Sequence, residues 1–188
     1  MDYNVGAALW FAAACRGSCR VYQGSKRVDV PGLHQGRSKV LLVGGGADEQ
    51  CCGYGRHRTK FRNGGWPALV AESALDMERL WLRNCGRDDR VVSDRGREMR
   101  WPFLDEALVL TLLAQPLWAV ADLSQPAGVG DKAVLREAAR RLGLARASAR
   151  PKRAVQFGTR IAQQSNCKKF GSNSRANKAH GGALEMVL

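Results

Sequence analysis

Between Val40 and Arg58 the chain reads VLLVGGGADEQCCGYGRHR. Four apolar residues, Val40 to Val43, run straight into Gly44, Gly45 and Gly46, and the acidic pair Asp48 and Glu49 follows. A short apolar run bounded by glycine predicts a buried strand. Glycines at the C-terminal end of a strand let a ligand come close to the backbone. In open α/β sheets that end is where ligands bind. An acidic pair beside it can hold Mg²⁺ together with phosphate oxygens. The combination predicts a nucleotide-type site. A second reading stays open, a plain strand-to-helix turn with acidic residues near a helix N-terminus. Two familiar phosphate loops do not apply. No Lys follows in the Walker position, and Glu49 stands where G-x-G-x-x-G needs its last glycine.

The elements that must position this loop are mostly helical. The pattern predicts one core strand at about residues 39–43 and a buried helix over 5–15, with Ala8, Leu9, Phe11 and Ala12 facing a core. A basic, Gly-rich loop over 15–38 lies between them. Gly64-Gly65 break the chain, and Trp66-Pro67 open a helix with Pro near its first turn. Val70, Ala74, Met77 and Trp81 fall on one face of that helix, joined by Leu69 and Leu80. Arg87-Asp88-Asp89-Arg90 reads as a salt-bridged surface turn. Charges interleaved with Trp101, Pro102 and Phe103 suggest a partly buried corner where charged groups must pair. Asp105-Glu106 open a helix, and another runs from Lys132 to Leu142.

Composition bounds the function classes. The chain has 188 residues, 45% hydrophobic, with a formal net charge of +13. That suits one domain with a real core and attracts polyanions. Most of the excess charge sits in 15–39 and 165–188, which read as a solvated loop and a disordered basic tail. A nucleic-acid surface is the weaker alternative, because no basic patch interleaved with aromatics is present. The cysteines form no C-x-x-C and have no His at ligand spacing, which argues against zinc. They read as reduced thiols of a cytoplasmic protein. The apolar N-terminus is too short for a membrane span and lacks a basic leader.

Four segments now stand in a recognisable order. GGGADEQCCGYGRHR resembles the S-G-x-G-x-D-E…G-G-Y loop of asparagine synthetases. RDDRVVSDRGREMRWPFLDE is similar to their R-D-x-x…G-x-E-x-R-x-P-F-L-D block, GDKAVLREAA to their G-K-x-x-L-R helix, and RPKRAVQFG to their R-x-K-x-x-F segment. The blocks look most like the asparagine synthetase domain-containing family, with its G-A-D-E-Q, G-Y-x-R-H-R and P-K-R-A-x-Q-F-G. The resemblance covers residues 2–164.

This resemblance implies an α/β fold of the adenine nucleotide α-hydrolase type, a parallel sheet flanked by helices. It implies ATP, Mg²⁺ and aspartate as ligands. Aspartate's β-carboxylate attacks the α-phosphate, and ammonia from a separate glutaminase domain then displaces AMP. Carried over by position, Val43, Gly44, Gly45 and Gly46 contact the nucleotide, Asp48 ligates Mg²⁺, and Lys152 faces the leaving pyrophosphate. Glu98, Arg100 and Asp105 are expected as structural ion-pair members. Glu49, Lys132 and Arg136 match the pattern with roles left open. Three departures matter. Gly45 stands in place of a Glu general base, Val43 replaces a Ser, and the S-G-G-x-D-S pyrophosphate loop is not found. The chain therefore reads as the C-terminal part of a synthetase domain, over 1–164, with weak or no activity alone. The alternative is a catalytically degenerate nucleotide-binding or scaffold protein.

Overall fold

A computed structural model describes residues 2–161. The tail expected at 165–188 lies outside the described residues. The chain divides into two compact units. The first draws its described part from residues 2–41, 87–100 and 155–161, the second from 42–86 and 101–154.

In the first unit, α1 (Asp2–Ala13) packs with α9 (Val155–Gly158). The face of α1 expected to be buried is not the one used. Asn4, Gly6 and Ala13 are buried, while Phe11 is 64% exposed. Gly6 fixes this choice, since a Cβ there would sit 3.6 Å from Val91 on α4 (Gly86–Ser93). A Gly therefore lets one helix approach another more closely than a larger face could. Trp10 completes the contact. Its Nε1 donates to Asp94 at 2.6 Å, and the Arg95 guanidinium stacks on its ring, 3.2 Å from the centroid. The charge cluster at Arg87–Arg90 is helical rather than a turn, and Arg87 pairs with both Asp88 and Asp2.

The segment expected to be a loop over 15–38 is an antiparallel hairpin, β1 (Arg16–Gln23) with β2 (Lys26–Gln35). Gln23 pairs with Lys26 across Gly24-Ser25, and Gly24 takes φ 63°, which glycine adopts freely. Val21 faces Val28 and Arg20 faces Asp29, with the ion pair at 2.5 Å. Such cross-strand pairs outweigh the basic composition. β3 (Val40–Leu42) forms the expected strand and pairs with β4 (Glu98–Arg100), where the Glu98 N–H donates to the Lys39 carbonyl at 2.8 Å. Among the described residues the strands form only these two-stranded sheets, without the implied parallel sheet.

The second unit is helical. α2 (Ala47–Gln50) follows the glycines, and α3 (Gly55–Leu80) runs from the Gly53-Tyr54 turn. Gly64 and Gly65 leave helical geometry inside α3 and kink it. The inner stripe of α3 is Leu69, Ser73, Asp76 and Leu80. Its spacing matches the predicted face but starts one residue earlier, so Val70 and Trp81 stand in solvent at 53% and 66% exposure. Polar partners set that rotation. The Ser73 hydroxyl donates to the Glu49 carbonyl at 2.9 Å, and Asp76 accepts from His57 at 2.8 Å.

Beyond α3 come a π-helical turn at Trp81–Cys85, a 3₁₀ turn at Pro102–Leu104, α5 (Glu106–Leu113), α6 (Leu117–Val120), α7 (Ala133–Arg141) and α8 (Ala145–Ser148). The core forms around adjacent cysteines that part company. Cys52, at φ 55°, joins Leu69, Ala121 and Leu123, whereas Cys51 joins Leu112 and Val120. Burial pushes both thiols up to about 12, with Cys52 adding to the effect on Cys51. Among the described residues no helix is long and apolar enough to cross a membrane.

Candidate functional site

The second unit alone assembles the candidate site, and three separate segments supply it. Asp48 comes from the first turn of α2, Lys132 from the start of α7, and Lys152 from the stretch after α8. Lys132 Nζ lies 2.9 Å from Asp48 Oδ1, and Lys152 Nζ lies 3.2 Å from Oδ2. All three side chains are about one-fifth exposed, so the group lines a cleft rather than a core. The Lys132 contact is an ion pair without hydrogen-bond geometry, which leaves Oδ1 buried and without a hydrogen bond. Two ammonium groups on one carboxylate carry a surplus positive charge, the condition for drawing in an anion.

Each member is held from behind. Gly53 makes room for Asp48, because a Cβ there would fall 2.0 Å from Oδ1. Lys132 caps α7 with φ 54°, a left-handed conformation that costs a non-glycine residue about 1–2 kcal/mol. Its backbone N–H donates to the Cys51 carbonyl at 3.0 Å. Strain retained beside a charged cleft points to a functional position.

Arg136 fixes the remaining segment. Buried at 7% exposure, it donates to the Asp131, Ser148 and Arg150 carbonyls at 2.8, 2.6 and 2.9 Å and to Asp131 Oδ2 at 2.7 Å. Arg150 lies two residues before Lys152, so Arg136 sets where that lysine starts. The Tyr54 ring then backs the ammonium, 4.3 Å from Nζ, and Arg56 stacks on the same ring at 4.2 Å.

The acidic pair read from the sequence has split roles. Asp48 meets the lysines, whereas Glu49 is turned inward at 3% exposure. Its carboxylate accepts from the Gly46 N–H at 3.1 Å, from Asn84 Nδ2 at 3.1 Å and from the Tyr54 hydroxyl. The π-helical turn after α3 delivers Asn84 to that position. Burial first, and then the facing Glu49 carboxylate, push the Tyr54 hydroxyl well above its ordinary value, so it remains a donor. Glu49 is thus a buried brace for the loop, with both oxygens occupied.

The three glycines also differ. Around Gly44 nothing approaches within 4 Å of a built Cβ. At Gly45 a Cβ would meet Trp101 Cδ1 at 2.9 Å. Gly46 is buried at φ 95°, with Leu104 Cδ2 2.5 Å from its Cβ position. Gly46 therefore serves packing, Gly44 faces open space, and Val43 is half-buried. The Glu98–Arg100 ion pair forms at 2.6 Å but is exposed on both sides, a surface pair rather than a buried corner. Asp105 is not an ion-pair member. It caps α5, accepting from the Ala107 and Leu108 N–H groups at 3.1 and 3.3 Å.

Sequence reasoning missed the group behind α3's first turn. His57 is fully buried, and the Tyr54 N–H points at its Nδ1 from 3.5 Å. That contact assigns the ring proton to Nε2, which donates to Asp76. Burial raises the Asp76 carboxyl, but hydrogen bonds from His57 and Arg56 outweigh it and hold the group below its ordinary value. Nothing local in the sequence marks this pair, since its members lie nineteen residues apart.

The cleft passes a limited fit test for a divalent cation. Asp48 Oδ1 offers a buried carboxylate oxygen without a hydrogen bond. Among the described residues no cluster of three or more His, Cys, Asp or Glu could cage a metal. An ion there would take its other ligands from phosphate oxygens and water, as Mg²⁺ does.

Comparison with known proteins agrees with this layout. The asparagine synthase family profile matches residues 60–170. Its match starts after the glycine loop and includes Lys132, Arg136 and Lys152. Asparagine synthetase domain-containing protein 1 of Homo sapiens is 45% identical over 163 residues, 87% of this chain and 24% of that protein. The Gallus gallus protein of that name is 45% identical over 177 residues, 93% of this chain and 27% of the relative. An asparagine synthetase domain-containing protein of Drosophila melanogaster is 33% identical over 183 residues, 94% of this chain and 29% of the relative. The chain thus spans about a quarter of the length of the curated relatives it matches. On the profile match over more than half its residues, the chain belongs to the asparagine synthase family.

Proposed function

We propose that the chain supplies the phosphate-facing part of an ATP-dependent amidation site of the asparagine-synthetase type. The observation that carries this reading is Asp48 between the Lys132 and Lys152 ammonium groups, drawn from three segments into one cleft. In the proposed first step an aspartate β-carboxylate oxygen bonds to the α-phosphorus of ATP. The bond from that phosphorus to the α,β-bridging oxygen breaks, and pyrophosphate leaves. Negative charge grows on the leaving oxygen. Lys152, already placed by Tyr54 and Arg136, answers it with a fixed point charge. Lys132 holds a second phosphate oxygen. A Mg²⁺ ion bound through Asp48 and the phosphates would neutralise phosphate charge. A glutaminase domain of the full-length protein would supply the ammonia, in the cytoplasm.

A second reading is favoured by Gly45. The resemblance implies a carboxylate there, and a side chain would first have to displace Trp101. Adenylation needs no base at that position, whereas attack by ammonia loses its usual one. Aspartate-dependent ATP–pyrophosphate exchange by the purified chain, measured beside nucleotide binding, separates the readings. Exchange lost in Lys152→Met supports the first. Nucleotide binding without exchange supports a catalytically degenerate binder. If the chain neither exchanges nor binds nucleotide, both readings fall.

A further inference from the structure

Beside the Asp48 cleft, the second unit encloses a cavity of about 160 Å³. The Gly53–Gly55 turn, Arg58, the Gly128–Asp131 loop and Lys152 bound it, and Asp48 does not line it. Cys52 and Leu123 make part of its wall apolar.

Most polar groups here are already engaged. Asp131 takes Arg136 Nη2 at 2.7 Å and also the Gly128 N–H. Arg58 Nη1 donates to the Leu123 carbonyl at 2.6 Å and to the Gln125 carbonyl. Arg58 Nη2 is different. It is shut off from solvent without a hydrogen bond, and Asp131 Oδ1 is 3.8 Å away. A buried charged donor without an acceptor is unfavourable, and an entering acceptor relieves it. Lys152 adds a second cation to the same cavity. Gly55 opens α3 on this wall with nothing within 4 Å of its Cβ position. The first N–H groups of a helix lack intrahelical acceptors and favour anions.

Size narrows the guest. At roughly 30 Å³ per water the cavity holds about five, enough for one tetrahedral oxyanion. It falls short of the roughly 300–1,000 Å³ of sites that take larger ligands. Asp131 is the carboxylate lining the cavity, and Arg136 neutralises it.

We infer that this cavity binds a small oxyanion of the phosphate class between Arg58 and Lys152, apart from the Asp48 carboxylate. The site needs no ATP chemistry and stands even if the amidation reading fails.

The test is calorimetric titration of the full chain with inorganic phosphate at fixed ionic strength, with acetate as a carboxylate control. Saturable one-to-one phosphate binding is expected. Arg58→Gln should weaken it at least tenfold, the loss of a charge-assisted hydrogen bond. Asp48→Asn should retain phosphate binding while losing Mg²⁺-dependent nucleotide binding, which separates this site from the proposed active site. Because Arg58 also holds two carbonyls, a second measurement keeps the inference open to refutation if Arg58→Gln unfolds. Phosphate should slow phenylglyoxal modification of Arg58 in the unaltered chain, read by peptide mass mapping. Absent phosphate binding, acetate binding of equal strength, unchanged affinity in a folded Arg58→Gln, or no protection of Arg58 would each overturn it.

Discussion

The three consecutive glycines offer a graded test of how the loop is built. Gly44, Gly45 and Gly46 look alike in sequence but meet different surroundings. At Gly44 an added methyl meets nothing within 4 Å and the φ is not in the left-handed range. Gly44→Ala should be neutral or stabilising by up to about 1 kcal/mol, through the unfolded chain. At Gly45 the methyl meets the edge of the Trp101 ring at 2.9 Å. The ring must shift by a fraction of an ångström, at the low end of overpacking, about 1 kcal/mol. At Gly46 two costs combine. The φ of 95° penalises any side chain by about 1–2 kcal/mol. Leu104 at 2.5 Å and the Phe103 carbonyl at 3.2 Å add overpacking of about 1–3 kcal/mol. Gly46→Ala should therefore cost about 2–5 kcal/mol, a melting shift of roughly 4–20 °C at this chain length. Equilibrium denaturant unfolding followed by tryptophan fluorescence reads the second unit well, since four of the five tryptophans (Trp66, Trp81, Trp101 and Trp118) belong to it. The order Gly44, Gly45, Gly46 must emerge. A flat series, or Gly45→Ala worse than Gly46→Ala, would refute the packing argument.

Other outcomes follow from the buried charges and thiols. Arg136→Met removes four hydrogen bonds and strands Asp131, so it should destabilise by about 3–5 kcal/mol in the same unfolding assay. Asp76 is held below its ordinary value, so its contribution is present above the unfolded value of about 3.9 and is lost as pH falls through the folded one. Below about pH 4, stability of the unaltered chain should therefore fall more steeply than that of Asp76→Asn. Equal slopes would remove Asp76 from the acid response. Thiols pushed up to about 12 are almost wholly protonated at pH 8. Peptide mapping after brief treatment with a thiol-reactive disulfide should find Cys51 and Cys52 unmodified until denaturant is added.

The sequence carried the loop, the strand at Val40–Leu42 and the helix after Asp105 because each rests on a local rule. A glycine boundary, a short apolar run and an Asp cap all act within a few residues. It misjudged features decided at a distance. The hairpin at Arg16–Gln35 was hidden by its basic composition, although Gly24-Ser25 between Tyr22 and Val28 is a two-residue turn signal. The face of α3 was read one residue late because Val70 and Trp81 are apolar, while the partners of Ser73 and Asp76 on α2 and at the start of α3 decided which side turned inward. Among site residues, Asp48 and Lys152 were legible only through resemblance, and the structure brings them together with Lys132. Asp105 was misassigned because a capping carboxylate and an ion-pairing one look the same in sequence. The inward turn of Glu49 depends on Asn84, thirty-five residues away, and no spacing rule reaches that far.

A purely structural ion cluster is the competing explanation for Asp48, Lys132 and Lys152, and the surrounding geometry weighs against it. A cluster serving stability alone gains nothing from a second lysine on one carboxylate, because the two ammonium groups repel each other. Nor does it gain from a left-handed backbone at Lys132, which an unstrained residue at the helix start would avoid. Partial exposure further reduces what each pair contributes. Meanwhile the stronger stabilising contacts lie behind the cluster and hold its members in place. Glu49 braces the loop, Arg136 fixes the approach to Lys152, and Gly53 leaves the space that Asp48 fills. Rigid support beneath a strained, cation-rich and open cleft is the arrangement expected where an anionic ligand completes the charge balance.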